Sequence, residues 1–399
     1  MTSDQSKKPK RVAVIYHYFA HYREPVVNEL IKNSKHHYEF LAGVHSFDSG
    51  IKLIDHFPDN RFRKASCCFI GPFLIQVGAI KAALGTRYDT LILLGNSKWP
   101  TTWLAAILAK LRGKHVLFWS HGWLEKESGL KGWFRNTFYK RAHALLLYGH
   151  RSKCIGIESG FNPDNIHVIY NSLDCKLQDS AREKLGPDDR QITRKKLFGE
   201  NAENPILVNV TRLHKYKKID MLIELAALLK ERSVPVNILV VGEGPHKEKL
   251  ERLAKERGVN AVFTGALYDE LEIGRMLNAS DLAVMPGPVG LLAMHALAYG
   301  VLVVSNNNFN TQMPEFESIN PGVTGDFFET DNLQSLANVV ERMLKDQPSF
   351  EQRCANTREI IERFYNPVSQ RVLIDRAVDG HPADDRFNAD LRSYKNTNP

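Results

Sequence analysis

The sequence predicts an α/β protein built from two doubly wound domains, and three observations carry that prediction. Short apolar runs alternate with helix-length segments through most of the chain, the pattern of parallel sheets covered on both faces. The alternation lapses once, between Leu173 and about Asn204, where the chain turns polar, and then restarts on the same plan. At 399 residues, 43% of them hydrophobic and 25% charged, the chain has room for two or three domains with large cores.

In the first half the expected strands are Arg11–Tyr16, Tyr38–Val44, Thr90–Leu94, Val116–Trp119, Ala144–Tyr148 and His167–Tyr170. Helices are expected at Glu24–Lys32, Leu74–Leu84, Thr101–Leu111 and Lys131–Ala142. In the second half the strands are Ile206–Val210, Val236–Val241, Ala261–Thr264, Leu282–Met285 and Val301–Val304. Met221–Arg232, His246–Arg257, Tyr268–Leu277 and Leu333–Lys345 read as the helices among them. These elements place a first domain at 1–173, a linker at 174–199 with one short helix, and a second domain at 200–365. A last helix, near Phe364–Ala377, and a frayed tail make up 366–399.

One stretch, Asp281–Val304, concentrates the chemistry. Its strand breaks at Pro286-Gly287-Pro288, Gly290 precedes a helical run from Leu291 to Tyr299, and Gly300 closes that run before the next strand. A loop of this kind aims free helix-terminal amides above the sheet, where an anion is the natural guest. Arg212 and Lys217 follow the strand Ile206–Val210, and a guanidinium with an ammonium five residues on can grip a diphosphate from two sides. The Val241-Gly242-Glu243-Gly244-Pro245 loop permits a tight turn and close ligand approach.

The net charge of +8 points to an anionic partner such as phosphorylated ligands or an acidic membrane surface. Five cysteines without metal-ligand spacing fit a reducing compartment. The basic start MTSDQSKKPKR has no apolar core of a secretory signal, and no run approaches the ~20 apolar residues of a membrane span. A cytoplasmic protein, peripheral at most on the membrane face, is expected. No G-x-G-x-x-G follows the first strand of either domain, which argues against a dinucleotide oxidoreductase. No nucleic-acid-binding module is recognisable, so nucleic acid is not expected as a partner.

The segments VTRLHKYKK, VGEGP, FTGAL, ASDLAVMPG and VGLLAMHALAYGVLVV occur in the order and approximate spacing of the nucleotide-sugar domain of glycosyltransferase family 4. The chain resembles that family over most of its length, most specifically in the C-terminal half. The resemblance implies the GT-B fold, two Rossmann-like domains facing a central cleft, and a metal-independent, retaining glycosyltransferase without a cofactor. It implies that Arg212 and Lys217 hold the donor diphosphate, and that the amides at Gly290 and Leu291 face the sugar-phosphate end.

The family usually carries a glutamate just before the loop glycine and a second one a helical turn inside. Here those positions hold Gly287 and His295, a variant found among bacterial surface-polysaccharide enzymes of the family. His295 could contact the ribose through a ring nitrogen, or pack under the loop as a plain helix residue. Downstream, Glu315 is a candidate carboxylate on the donor side, as is Glu243 in the preceding glycine loop.

In the first domain His121 ends a central strand in Ser120-His121-Gly122-Trp123, matching the family's acceptor-side histidine that contacts the transferred sugar. Tyr22 and Arg23 stand where some relatives have a glycine-rich loop, and are read as acceptor-side residues, with Arg23 able to meet an acidic acceptor or a donor phosphate. Lys131, Arg135, Lys140 and Arg141, interleaved with Trp133, Phe134, Phe138 and Tyr139, suit a helix resting on anionic lipid, with Phe134 and Phe138 on one face.

The function expected is transfer of a sugar from a nucleoside-diphosphate sugar to a glycan or lipid-linked acceptor in surface-glycan biosynthesis. The alternatives are a non-catalytic GT-B scaffold of a polysaccharide assembly complex, motivated by the missing glutamates, and a GT-B nucleotide-sugar epimerase.

Overall fold

A computed structural model describes residues 8–46 and 51–384. Residues 1–7 of the basic start and 385–399 of the expected frayed tail lie outside the described residues. The chain divides into two compact units: residues 1–173 with 366–399, and residues 174–365.

The first unit contains β1 (Arg11–Ile15), α1 (Glu24–Asn33), β2 (His37–Ala42), β3 (Phe62–Lys64), β4 (Cys68–Ile70), β5 (Phe73–Ile75), α2 (Val77–Leu84) and β6 (Thr90–Leu94). It continues with α3 (Pro100–Leu111), β7 (His115–Ser120), α4 (Gly129–Tyr139), β8 (Ala144–Leu147), α5 (His150–Glu158) and β9 (Ile166–Val168). Seven strands form one parallel sheet in the order β3-β2-β1-β6-β7-β8-β9. The order reverses between β1 and β6, so the loops after β1 and β6 flank a switch point, where open sheets bind ligands, and β7 lies one strand further on.

The expected helix Leu74–Leu84 begins only at Val77, because the residues before it pair as the β4–β5 hairpin through Gly71, whose φ is +58°. Gln76 ends the hairpin: its Nε2 donates to the Tyr16 carbonyl at 2.8 Å and its amide to Thr101 Oγ1 at 3.2 Å. Phe134 and Phe138 share a face, each ring 5.1 Å from that of Trp103, but to different depths: Phe138 is fully buried, stacked on Phe118 at 4.5 Å, whereas Phe134 stays half exposed.

The second unit contains α6 (Cys175–Glu183), α7 (Asp189–Phe198), β10 (Ile206–Val210), α8 (Ile219–Glu231), β11 (Asn237–Val241), α9 (Lys247–Glu256), β12 (Ala261–Gly265) and α10 (Glu270–Ala279). Then come β13 (Leu282–Met285), α11 (Leu292–Ala298), β14 (Leu302–Asn306), β15 (Gly325–Phe328), α12 (Leu333–Lys345) and α13 (Phe350–Arg363). Its six-stranded parallel sheet runs β12-β11-β10-β13-β14-β15, the doubly wound order, with the reversal between β10 and β13.

The segment read as a linker at 174–199 is instead two helices of this unit. Its polar composition misleads, because the arginines are consumed in tertiary contacts. Arg190 and Arg194 both pair with Asp281, at 2.6 and 2.9 Å, and Asp281 also accepts the Ile206 amide at 2.7 Å. Arg194 further donates to the carbonyls of Ala202, Asn204 and Ala279.

The final helix, α14 (Pro367–Asp379), belongs to the first unit. Gln370 bonds Ser172 Oγ and the Tyr170 carbonyl at 2.7 and 2.6 Å, and Asp375 accepts the Tyr38 hydroxyl at 2.8 Å. No helix among the described residues is long and apolar enough to cross a membrane.

Candidate functional site

The switch point of the second unit lies between β10 and β13, and the sequence places a cationic loop after one and the proline–glycine loop after the other. After β10 the chain makes a short turn at Lys215–Lys217, and Lys218 takes a left-handed conformation (φ +53°) that launches α8. This turn puts Lys217 under the second loop. Its carbonyl accepts the Gly287 amide at 3.1 Å, and its Nζ donates to the Pro288 carbonyl at 2.6 Å.

The loop is held from its other side by Gln312, whose Oε1 accepts the Val289 amide at 2.8 Å, and by Asn306, which donates to the Pro286 carbonyl at 2.9 Å. Gln312 also donates to Ser305 Oγ and to the Asn306 carbonyl, both at 2.9 Å. Sequence reading missed Gln312, since a glutamine before Met313-Pro314 carries no signal of its own. Its role exists only because the chain folds back over the loop.

Lys217 is buried, and burial pushes its ammonium down from 10.5 to about 8; Glu315 partly restores the charge and nearby Arg212 opposes it. Glu315 is itself buried in the turn Pro314–Ser318. Arg212 is exposed, and its side chain makes no hydrogen bond or ion pair among the described residues. The structure therefore brings Arg212, Lys217 and Glu315 together beside the 286–290 loop.

Gly290 has φ of +58°, a conformation in which a side chain would be strained. Its amide and those of Leu291 and Leu292 donate to no protein acceptor among the described residues. The helix that follows is shorter than expected, Leu292–Ala298, so what this loop offers an anion is a few oriented N–H groups more than a long dipole.

Gly287 is not open space for a ligand. A Cβ there would lie 2.5 Å from the Tyr216 carbonyl and 2.7 Å from Lys217 Cα, so the position is a backbone-to-backbone contact that no glutamate could occupy in this geometry. Gly242 and Gly244 likewise serve loop packing: a Cβ on either would run into Thr211 O at 1.8 Å or Leu213 O at 2.6 Å. The close approach they allow is that of the neighbouring loop. Glu243 is exposed and pairs with Lys247 at 2.6 Å.

His295 turns to α10. Its Nε2 lies 2.8 Å from Glu270 Oε1, which also accepts the Tyr299 hydroxyl at 2.8 Å. The ring is thus oriented by a carboxylate that sequence reading did not single out, close to the packed-helix alternative.

In the first unit, His121 follows β7 and is exposed, its ring centroid 5.0 Å from that of Tyr148. The sharp turn after it needs Gly122, with φ of +73° and Ser152 Oγ only 2.0 Å from where a Cβ would sit. Arg23 Nη2 donates to the Tyr148 hydroxyl at 2.5 Å. Its guanidinium carbon lies 5.1 Å from the Tyr16 ring, 5.2 Å from Trp119 and 5.8 Å from Tyr148. Tyr22, one residue before, is half-buried. Arg23 and His121 therefore share one aromatic cluster at the carboxyl ends of β1, β7 and β8, whereas the Tyr22 ring packs against His21 at 5.7 Å.

The surface helix α4 is exposed at Leu130 (86%) and Trp133 (66%). Two of its expected membrane cations are internally engaged: Glu127 pairs with Lys131 at 2.8 Å and with Arg135 at 2.7 Å. Lys140 and Arg141 remain exposed.

Residues 189–360 match the family model of the glycosyl transferases group 1. Over 157 residues the chain is 31% identical to a GDP-mannose-dependent alpha-(1-6)-phosphatidylinositol dimannoside mannosyltransferase of Mycobacterium tuberculosis, covering 38% of this chain and 39% of that protein. It is 26% identical over 186 residues to the putative glycosyltransferase EpsF of Bacillus subtilis, covering 46% of each. The chain thus spans less than half the length of these curated relatives. The fold is that of the GT-B glycosyltransferases. Anabaena Alr3699/HepE, solved in complex with UDP, superposes with a TM-score of 0.69 at 18% identity over 93% of this chain and all of that one. WaaG, a glycosyltransferase involved in lipopolysaccharide biosynthesis, does so with 0.61 at 15% identity, over 92% of this chain and all of that one.

Proposed function

We propose that this chain is a retaining, metal-independent glycosyltransferase that moves a sugar from a nucleoside-diphosphate sugar to a glycan or lipid-linked acceptor of a surface polysaccharide. The observation that carries the reading is Lys217, a buried ammonium held against the 286–290 loop at the switch point, inside the segment that matches the group 1 model. Structures similar in fold were solved with UDP and with UDP-glucose.

In this reading Lys217, Arg212 and the amides of Gly290 and Leu291 receive the donor diphosphate, and Glu315 keeps Lys217 charged. The bond from the sugar's anomeric carbon to phosphate breaks, and its electron pair leaves with the diphosphate. The acceptor oxygen forms the new bond on the same face, and its proton passes to a diphosphate oxygen. Preorganised charges aimed at the leaving group typically contribute about 2.7–4 kcal/mol each. His121, Tyr22 and Arg23 act on the acceptor side. Exposed Leu130 and Trp133, with Lys140 and Arg141 nearby, rest the first unit on anionic lipid at the cytoplasmic face.

Calorimetry with UDP, GDP and ADP, followed by assays of donor hydrolysis and transfer, tests the reading. We expect nucleoside-diphosphate binding and release of sugar that persist in EDTA. No nucleotide binding would favour a scaffold, and conversion of the nucleotide sugar without acceptor would favour an epimerase.

A further inference from the structure

Arg23 presents an unusual electrostatic situation. A guanidinium always carries its charge, and removing it from water is costly unless an anion or several hydrogen bonds compensate. Rings of Tyr16, Trp119 and Tyr148 surround it at 5.1–5.8 Å, and all three are buried. Cation–π attraction offsets part of the penalty but supplies no counter-charge.

Among the described residues the guanidinium makes one hydrogen bond, from Nη2 to the Tyr148 hydroxyl, and no ion pair. Glu24, next in the chain, does not pair with it. The residue is half-buried, and Nε and Nη1 have no hydrogen-bond partner among the described residues. The cage thus engages the planar fork through Nη2 alone and leaves its other donors without a protein acceptor among the described residues. That is the arrangement for bidentate recognition of a carboxylate or phosphate. Its place is the carboxyl end of β1, beside the switch point between β1 and β6 of the first sheet, with the exposed His121 ring tilted against the same Tyr148 at 5.0 Å.

We infer that Arg23 is a dedicated oxyanion subsite of the first unit, taking one carboxylate or phosphate group carried by the acceptor. The inference rests on the glycosyltransferase reading for the word acceptor, but the binding itself does not. Acceptors of this chain are accordingly acidic, either uronic-acid-containing glycans or phosphate-bearing ones.

The test follows the Nε–Hε resonance of Arg23 in the ¹⁵N-labelled full chain, assigned by its absence from Arg23→Met, or from Arg23→Lys should the methionine variant not fold. Inorganic phosphate, glucuronate and neutral glucose are titrated in turn at low chloride. We expect saturable shifts with phosphate, glucuronate or both, and none with glucose. The anion that binds tightest identifies the acceptor's acid. Because the readout is Arg23 itself, phosphate bound elsewhere does not register. Once an acidic acceptor is in hand, Arg23→Lys should raise its KM at least about tenfold while leaving donor KM unchanged. Absence of any shift with both anions, or equal shifts with glucose, would overturn the subsite. Parallel UDP calorimetry separates the two ideas: UDP heat without an Arg23 response sinks the subsite alone, and an Arg23 response without UDP heat sinks the donor reading alone.

Discussion

If Lys217 holds the donor diphosphate as proposed, its depressed ammonium should make donor binding pH-dependent, with a direction and a window set by burial of that group. Its folded value of about 8 lies below the usual 10.5, so it loses its proton as pH rises through 8. If only the charged form holds the diphosphate, the apparent Kd follows 1 + 10^(pH − 8), which predicts a weakening of about tenfold from pH 7 to 9, or about 1.4 kcal/mol. The terminal phosphate is already ionised throughout that range, since its second proton leaves near pH 6, roughly. Isothermal titration with UDP at pH 7, 8 and 9 provides the measurement, with Lys217→Arg as control. The arginine variant should show no such slope. A flat profile for the natural protein, or an equally steep one for Lys217→Arg, would refute the assignment of Lys217 to the diphosphate. The linkage also has a stability side. A lysine with a lowered folded value destabilises the fold while charged, and that cost is relieved between pH 8 and 10.5, where the unfolded chain binds more protons. Thermal unfolding without ligand should therefore show this group contributing a gain with pH just where donor affinity falls.

Four further outcomes are expected. Arg212→Ala should reduce transfer at least about tenfold, roughly 1.4 kcal/mol, with an unchanged melting temperature because the side chain is exposed and unpaired; near-normal kcat/KM would remove it from the clamp. Gly287→Glu, which restores the residue usual in the resembled family, should destabilise by about 1–3 kcal/mol in urea denaturation and not raise activity, since its Cβ meets the Tyr216 carbonyl. Asp281→Ala should cost roughly 3–5 kcal/mol by leaving Arg194 buried without its anion, and a loss below ~1 kcal/mol would mean that α7 is not anchored as described. Replacing Leu130 and Trp133 by serine should abolish co-sedimentation with vesicles containing anionic lipid while leaving UDP affinity intact; unchanged sedimentation would dismiss α4 as the contact.

The strands were the most legible part of the chain. Buried parallel strands are continuous apolar runs, and Ile206–Val210 and Leu282–Met285 occupy the residues that their composition marks. Short or polar elements escaped notice. β3 and β15 are brief strands at sheet edges, and α5 and α13 lack an apolar stripe long enough to stand out. In the candidate site, Arg212, Lys217 and Gly290 were found by their place after strands. Gln312 and Glu270 carry no signal of their own, because each acts through a partner distant in sequence.

What the sequence by itself determined is the alternation of elements, hence two doubly wound sheets and the loops at their carboxyl ends. Hydrophobic periodicity is a local property and survives without knowledge of neighbours. What only the tertiary structure decided is which charges are spent inside the fold and which remain for a ligand. Arg190 and Arg194 read as linker cations and are bound to Asp281, whereas Arg23, an acceptor-side candidate whose surroundings the sequence does not show, is caged by aromatic rings without an anion among the described residues. Electrostatic partners are chosen across space, at distances of a few ångströms between residues far apart in the chain, and composition carries no record of that choice.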